Sequence, residues 1–188
     1  MHYGVMGMHW GVRRYQPYSQ GYDAEHKGRF IGKQQKSNAK IIKKAAKRGG
    51  IERVMNTDVV KSYLKSDEYS SKKRAATESQ KRSIDAESEY YNTIDKILAE
   101  EIKKNPTADS YDVDYSSHPE LRAIEKELDR LSDERAKSYT EFNRLIERYT
   151  DEILGKYGDT KVSGMNIPYG KTEIKTILRT AMFKASPV

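Results

Sequence analysis

The sequence predicts a mainly all-α protein: a long antiparallel helical hairpin or coiled coil, short flanking helices, and an extended Gly/Tyr-rich basic arm at the N-terminus. Three observations carry that expectation. Charged residues make up 34% of the 188 residues and hydrophobic ones 36%, a balance that suits long exposed helices better than a compact α/β core. From about Asp67 to Lys104 no Gly or Pro interrupts the chain, and from Pro119 to about Lys156 apolar residues recur in the 3-4 alternation of a coiled-coil seam. The net charge of +7 is uneven: residues 1–50 hold 11 basic against 2 acidic groups, a surplus of +9, and the remainder is close to neutral. The expected division is an extended basic arm at 1–36, short helices at 37–66, a hairpin at 67–157 with its loop at 105–117, and a turn plus amphipathic helix at 158–188.

In the arm, Met6, Met8, Trp10 and Val12 alternate with Gly7, His9, Gly11 and Arg13, a period of two that reads as an extended segment with one apolar edge. Gly4, Gly7 and Gly11 also share a helix face, but each glycine costs about 1 kcal/mol against Ala there. Tyr15, Pro17, Tyr18, Gly21 and Tyr22 read as turn and coil. From Ser37 to Arg48, Ile41, Ile42, Ala45 and Ala46 form a helical stripe among lysines, ended by Gly49-Gly50. A second short helix is expected from Ile51 to Leu64, interrupted near Asn56-Thr57-Asp58.

On the first long helix Ile84, Tyr91, Ile94, Leu98 and Ile102 define the expected packing face, widened by Tyr90 and Ile97. Lys103-Lys104 complement the negative end of its dipole and Asn105-Pro106 stop it. Ser117 and Glu120 form a capping-box pattern with Pro119 in the tolerant first turn. The second long helix carries Leu121, Ile124, Leu128, Leu131, Phe142, Leu145, Tyr149 and Ile153, interrupted at Arg135 and Ser138. Neither helix is apolar enough to stand alone. Antiparallel pairing within the chain is the simplest solution, and pairing between copies would satisfy the same stripes. After Gly158 a turn and a short extended stretch, Val162 to Pro168, lead to a last helix. Its stripe is Ile174, Ile177, Leu178, Ala181 and Met182, which should fold back onto the hairpin.

The absence of cysteine excludes disulfides, zinc ribbons and thiol catalysis. No apolar run approaches the roughly 20 residues of a membrane span, and the N-terminus has no secretory apolar region, so no membrane association is expected. Gly28-Arg29-Phe30-Ile31-Gly32-Lys33 invites comparison with a phosphate loop. Its glycines enclose three residues rather than four, and Gln34 follows where Ser or Thr should be, so it reads as a basic turn before a helix. His2, His9, His26 and His118 are too dispersed for a zinc site. Asp109, Asp112 and Asp114 lack the glycine and terminal Glu of an EF-hand and read as an acidic interhelical loop. No nucleophile elbow, Rossmann or kinase signature occurs, so no catalytic residue, metal or cofactor is expected and the chain reads as a non-enzyme.

Tyrosine is frequent, 14 against three Phe and one Trp, and its amphipathic ring suits interfaces. The predicted partner-binding residues are Met6, Met8, Trp10, Val12, Arg13, Arg14 and Tyr15. The predicted anion-binding residues are Arg13, Arg14, Lys40, Lys43, Lys44, Lys47 and Arg48.

Residues 2–14 read His-Tyr-Gly-Val-Met-Gly-Met-His-Trp-Gly-Val-Arg-Arg. This resembles the H-[YH]-G-[VI]-x-G-M-x-W-G-[VI]-R-R segment that recurs in proteins of phages, prophages and other mobile elements of Gram-positive and gut bacteria, several of which resemble virion or head-morphogenesis components. In relatives the position of Met6 or His9 is often Lys, so this copy is less basic there. The resemblance implies a genomic context and a place in the bacterial host cytoplasm or the virion. The expected function is a non-enzymatic interaction protein, virion-associated or acting in assembly, whose arm docks to a protein partner with Trp10 as anchor. An anti-defence protein, such as an anti-CRISPR inhibitor binding a host nuclease complex, is the first alternative. Sequence-independent binding of nucleic acid through the basic residues is the second.

Overall fold

The computed structural model describes residues 20–107, 109, 110, 113–163 and 171–185, with side chains from Gly28 onward. Five helices dominate: α1 (Gln20–Met55), α2 (Asp58–Leu64), α3 (Asp67–Lys104), α4 (Pro119–Leu154) and α5 (Ile174–Lys184). Two-residue strands β1 (Lys161–Val162) and β2 (Thr172–Glu173) pair antiparallel, Lys161 opposite Glu173 and Val162 opposite Thr172.

α3 and α4 form the antiparallel hairpin. Ion pairs along its flank show the antiparallel order, since partners on α4 descend in number as those on α3 climb: Glu68 with Arg148, Lys72 with Glu141 at 2.6 Å, and Arg82 with Glu134. Lys103 and Lys104 close α3 as expected, and Asn105 caps it in an extended conformation. The α4 stripe packs as its spacing predicts, with Leu121, Leu131, Phe142, Leu145, Tyr149 and Ile153 buried and Ile124 and Leu128 half-buried. Arg135 and Ser138 do occupy the seam, half-buried, between buried Leu131 and Phe142.

The α3 face is only partly the expected one: Ile97 is buried and Tyr90, Ile94 and Leu98 are half-buried, but the rest of the face is shifted. Ile84, Tyr91 and Ile102 are exposed, whereas Tyr69, Ala76, Ser79, Ser83, Ala86 and Ile97 are buried. Small side chains occupy the buried positions 76, 79, 83 and 86, where the packing face of α3 is narrow. Ser and Ala carry little hydrophobic signal, so an apolar-stripe reading settles on the larger residues beside them.

The base of the hairpin is the core of the molecule. There α1, α2, α3, α4 and α5 bury Ile42, Val54, Val60, Tyr69, Phe142, Leu154, Leu178 and Met182. The α5 stripe is buried at all five expected positions, and the helix lies against α1 and α4. Its C-terminal carbonyls are held by α3. The Tyr69 hydroxyl shares its proton between the oxygens of Met182 (2.6 Å) and Ala185 (2.9 Å), and Lys73 Nζ donates to the Phe183 oxygen at 2.5 Å.

Two further expectations are corrected. Residues 20–36, assigned to an extended arm, belong to α1, including Gly21 and Tyr22 and the Gly28–Lys33 segment read as a turn. The glycine penalty is offset by tertiary anchoring. Gln35 Nε2 lies 3.3 Å from the carbonyls of both Asp151 and Glu152, and Asn38 Nδ2 donates to Ile153 at 3.1 Å. All three carbonyls belong to the last turn of α4; that of Asp151 also accepts the Gly155 N–H, so α1 supplements the capping of the helix it crosses. The stop expected at Gly49-Gly50 is present: both residues leave helical geometry, Gly50 at φ 62°, ψ −150°, a region open essentially to glycine, and a second helical stretch follows to Met55 across the kink. Second, Ser117 is not the cap of α4. It sits in a 3₁₀ turn (Tyr115–Ser117), its hydroxyl donates to the Asp114 carbonyl, and His118 takes the N-cap position.

Candidate functional site

The predicted site residues fall into two groups. Met6, Met8, Trp10, Val12, Arg13, Arg14 and Tyr15 lie outside the described residues. Lys40, Lys43, Lys44, Lys47 and Arg48 lie on α1 and are joined there by Lys33 and Lys36, which the expectation of an extended arm set apart from the helix.

The geometry of α1 sorts its residues sharply. At about 100° per residue, Lys33, Lys36, Lys40, Lys43, Lys44, Lys47 and Arg48 all project within an arc of roughly 140°. Ala39, Ile42, Ala45 and Ala46 are buried on the opposite side, where Gln35 and Asn38 reach α4. Six of the seven cations are exposed and Lys43 is half-buried. No acidic residue stands between Glu25 and Glu52 in sequence. None of the seven forms an ion pair among the described residues. The cations of the packed body are treated differently: Lys175 reaches Asp159 at 2.6 Å, Arg179 reaches Glu147 at 3.2 Å, and Lys72 reaches Glu141. A hydrogen bond from Lys72 holds the Glu141 carboxyl below its ordinary range.

The remaining candidates are structural. Asp114 accepts bonds from the Ser116 hydroxyl (2.6 Å) and backbone N–H (3.1 Å), which hold its carboxyl below the usual range. That is a turn cap, and Asp112 lies outside the described residues. No cluster of metal-ligating side chains occurs among the described residues. His118 Nδ1 is 3.5 Å from the Glu120 carboxylate at the start of α4. Gln80, Arg135, Ala136 and Tyr139 line a shallow cleft of about 350 Å³ where Arg135 interrupts the seam. Tyr139 donates its hydroxyl proton to Gln80 across that cleft.

Lys73, unremarked in the sequence, has its ammonium 5.2 Å from the ring centres of both Phe142 and Phe183, and burial lowers its pKa. Only the packing of α5 brings these three residues together.

A family of unknown function (DUF7211) matches residues 1–17 of the chain. No curated protein and no solved structure matches it. No described helix is long and apolar enough to cross a membrane.

Proposed function

We propose that this is a non-enzymatic interaction protein of a phage or other mobile element, virion-associated or acting in assembly, that captures a protein partner through its N-terminal segment. The position of the family match supports this most. It covers residues 1–17 and stops just before α1 begins at Gln20, so the shared element is a leader attached to a helix. That helix is tied to the body through Gln35 and Asn38. Within residues 1–17, Met6, Met8, Trp10 and Val12 alternate in sequence with Gly7, His9, Gly11 and Arg13, a period of two that suits an extended segment with one apolar edge. An edge of that kind adds to a partner's sheet through main-chain hydrogen bonds, with Trp10 filling a pocket.

Affinity capture from host cells tests this reading. Trp10→Ala is expected to lose the co-purifying protein while far-UV circular dichroism keeps its helical signal. Undiminished capture by the variant removes the segment from the mechanism. The identity of the captured protein, a virion component or a host nuclease complex, separates assembly from anti-defence.

A further inference from the structure

We propose that the exposed face of α1 binds the phosphate backbone of a nucleic-acid duplex without reading its sequence. The site comprises Lys33, Lys36, Lys40, Lys44, Lys47 and Arg48, with Lys43 at its flank. From Lys33 to Arg48 the helix rises roughly 22 Å. A duplex carries one phosphate per about 1.7 Å with both strands counted, so about a dozen phosphates lie within that length and roughly half of them, on the order of the number of cations, can face the helix.

The face holds unrelieved like-charge contacts. Lys36–Lys40, Lys40–Lys44, Lys43–Lys47 and Lys44–Arg48 are i,i+4 neighbours, a spacing at which equal charges repel. None of these cations forms an ion pair with an acidic side chain among the described residues. A surface polyanion relieves that repulsion and releases its own condensed counterions.

The remaining chemistry of the face narrows the ligand. Insertion into a bilayer requires a free apolar helix face. The apolar face of α1 is committed to the core through Ala39, Ile42, Ala45 and Ala46. Exposed Phe30 and Ile31 stand about three turns from exposed Ile41, and the three make no continuous stripe. Single strands are held by aromatic stacking platforms, and no aromatic residue occurs from Ile31 to Arg48. Base readout depends on planar bidentate side chains, whereas six of the seven cations here are lysines, which act as point charges. Phosphate contact along a duplex remains.

The test is fluorescence anisotropy of the full chain with a labelled duplex of about 20 base pairs, titrated between about 50 and 200 mM salt. Wild type should bind with a steep salt slope and equally to unrelated sequences. The variant Lys33→Gln/Lys36→Gln/Lys40→Gln/Lys44→Gln/Lys47→Gln should bind at least tenfold more weakly and lose about 4–5 units of that slope. A control with Lys81, Lys96, Lys103, Lys126 and Lys137 changed to Gln carries the same net charge and should bind like wild type. Equal weakening of the two variants, or none in the α1 variant, overturns the proposal. So does tighter binding to a single strand of equal length, or to phosphatidylserine vesicles with no binding to the duplex. Circular dichroism of the α1 variant should keep its helical signal, because every changed residue is exposed and Gln is a good helix former.

Discussion

Tyr69 shows how one side chain joins distant parts of the chain. It lies at the start of α3, is fully buried, and packs its ring 5.6 Å from that of Phe142. Its hydroxyl satisfies two carbonyls at the end of α5, more than 110 residues away in sequence. Tyr69→Phe keeps the ring and strands those acceptors, so denaturant titration should report a loss of about 1–3 kcal/mol. Burial pushes the Tyr69 pKa up to about 12, from an ordinary 10.0. The folded state therefore holds this proton where the unfolded chain has released it. The associated stability is complete below pH 10 and is lost as pH rises toward 12, on the order of 3 kcal/mol. Lys73, lowered by burial, acts in the opposite sense, since its cost is relieved as pH rises. The difference between wild type and Tyr69→Phe across pH 9–12 isolates the tyrosine, and a constant difference would refute the assignment.

At the scale of the element, α3 separates apolar character from burial. Ile97 is 5% exposed and Ile84 is 48% exposed, although the sequence pattern ranks Ile84 as a seam residue and Ile97 as an accessory one. Ile97→Ala should cost about 2–4 kcal/mol, and Ile84→Ala should stay within about 0.5 kcal/mol. Urea unfolding of the two variants decides the register, since equal costs would mean that the face was assigned wrongly. The helices with large apolar residues on their packing side, α4 and α5, were legible from spacing. α3 was legible only in part, because Ala and Ser at its seam contribute little hydrophobic area. The N-terminal half of α1 was illegible for another reason: three glycines argue locally against a helix, and the amide contacts to α4 that favour it are invisible to a local pattern.

Across the whole molecule, stability is distributed unevenly. The continuous core involves α3 only as far as Ala76 and α4 only from Phe142 onward. Beyond those points the hairpin relies on a narrow seam with Ser79, Ser83, Arg135 and Ser138 in it, and on exposed ion pairs, each worth little in water. Hydrogen exchange should therefore show strongest protection near Tyr69–Ala76, Phe142–Leu154 and α5, falling toward the tip around residues 95–125. Uniform protection along α3 and α4 would contradict this gradient.

Helix order and several ends followed from breakers and periodicity: Gly49-Gly50, Asn56-Thr57 and Asn105-Pro106 each mark a boundary or kink, whereas the start of α1 at Gln20 and the cap of α4 did not. The sign and position of the basic segment were equally plain, since charge is a property of composition. That Lys33 and Lys36 join the other cations on one side of the same helix was decided by tertiary structure. The amides of Gln35 and Asn38 bind the end of α4, and Ile42 is buried beneath them. Fixing one side of α1 against the body leaves its lysines only the other, and local propensity carries no information about which side a neighbour will cover.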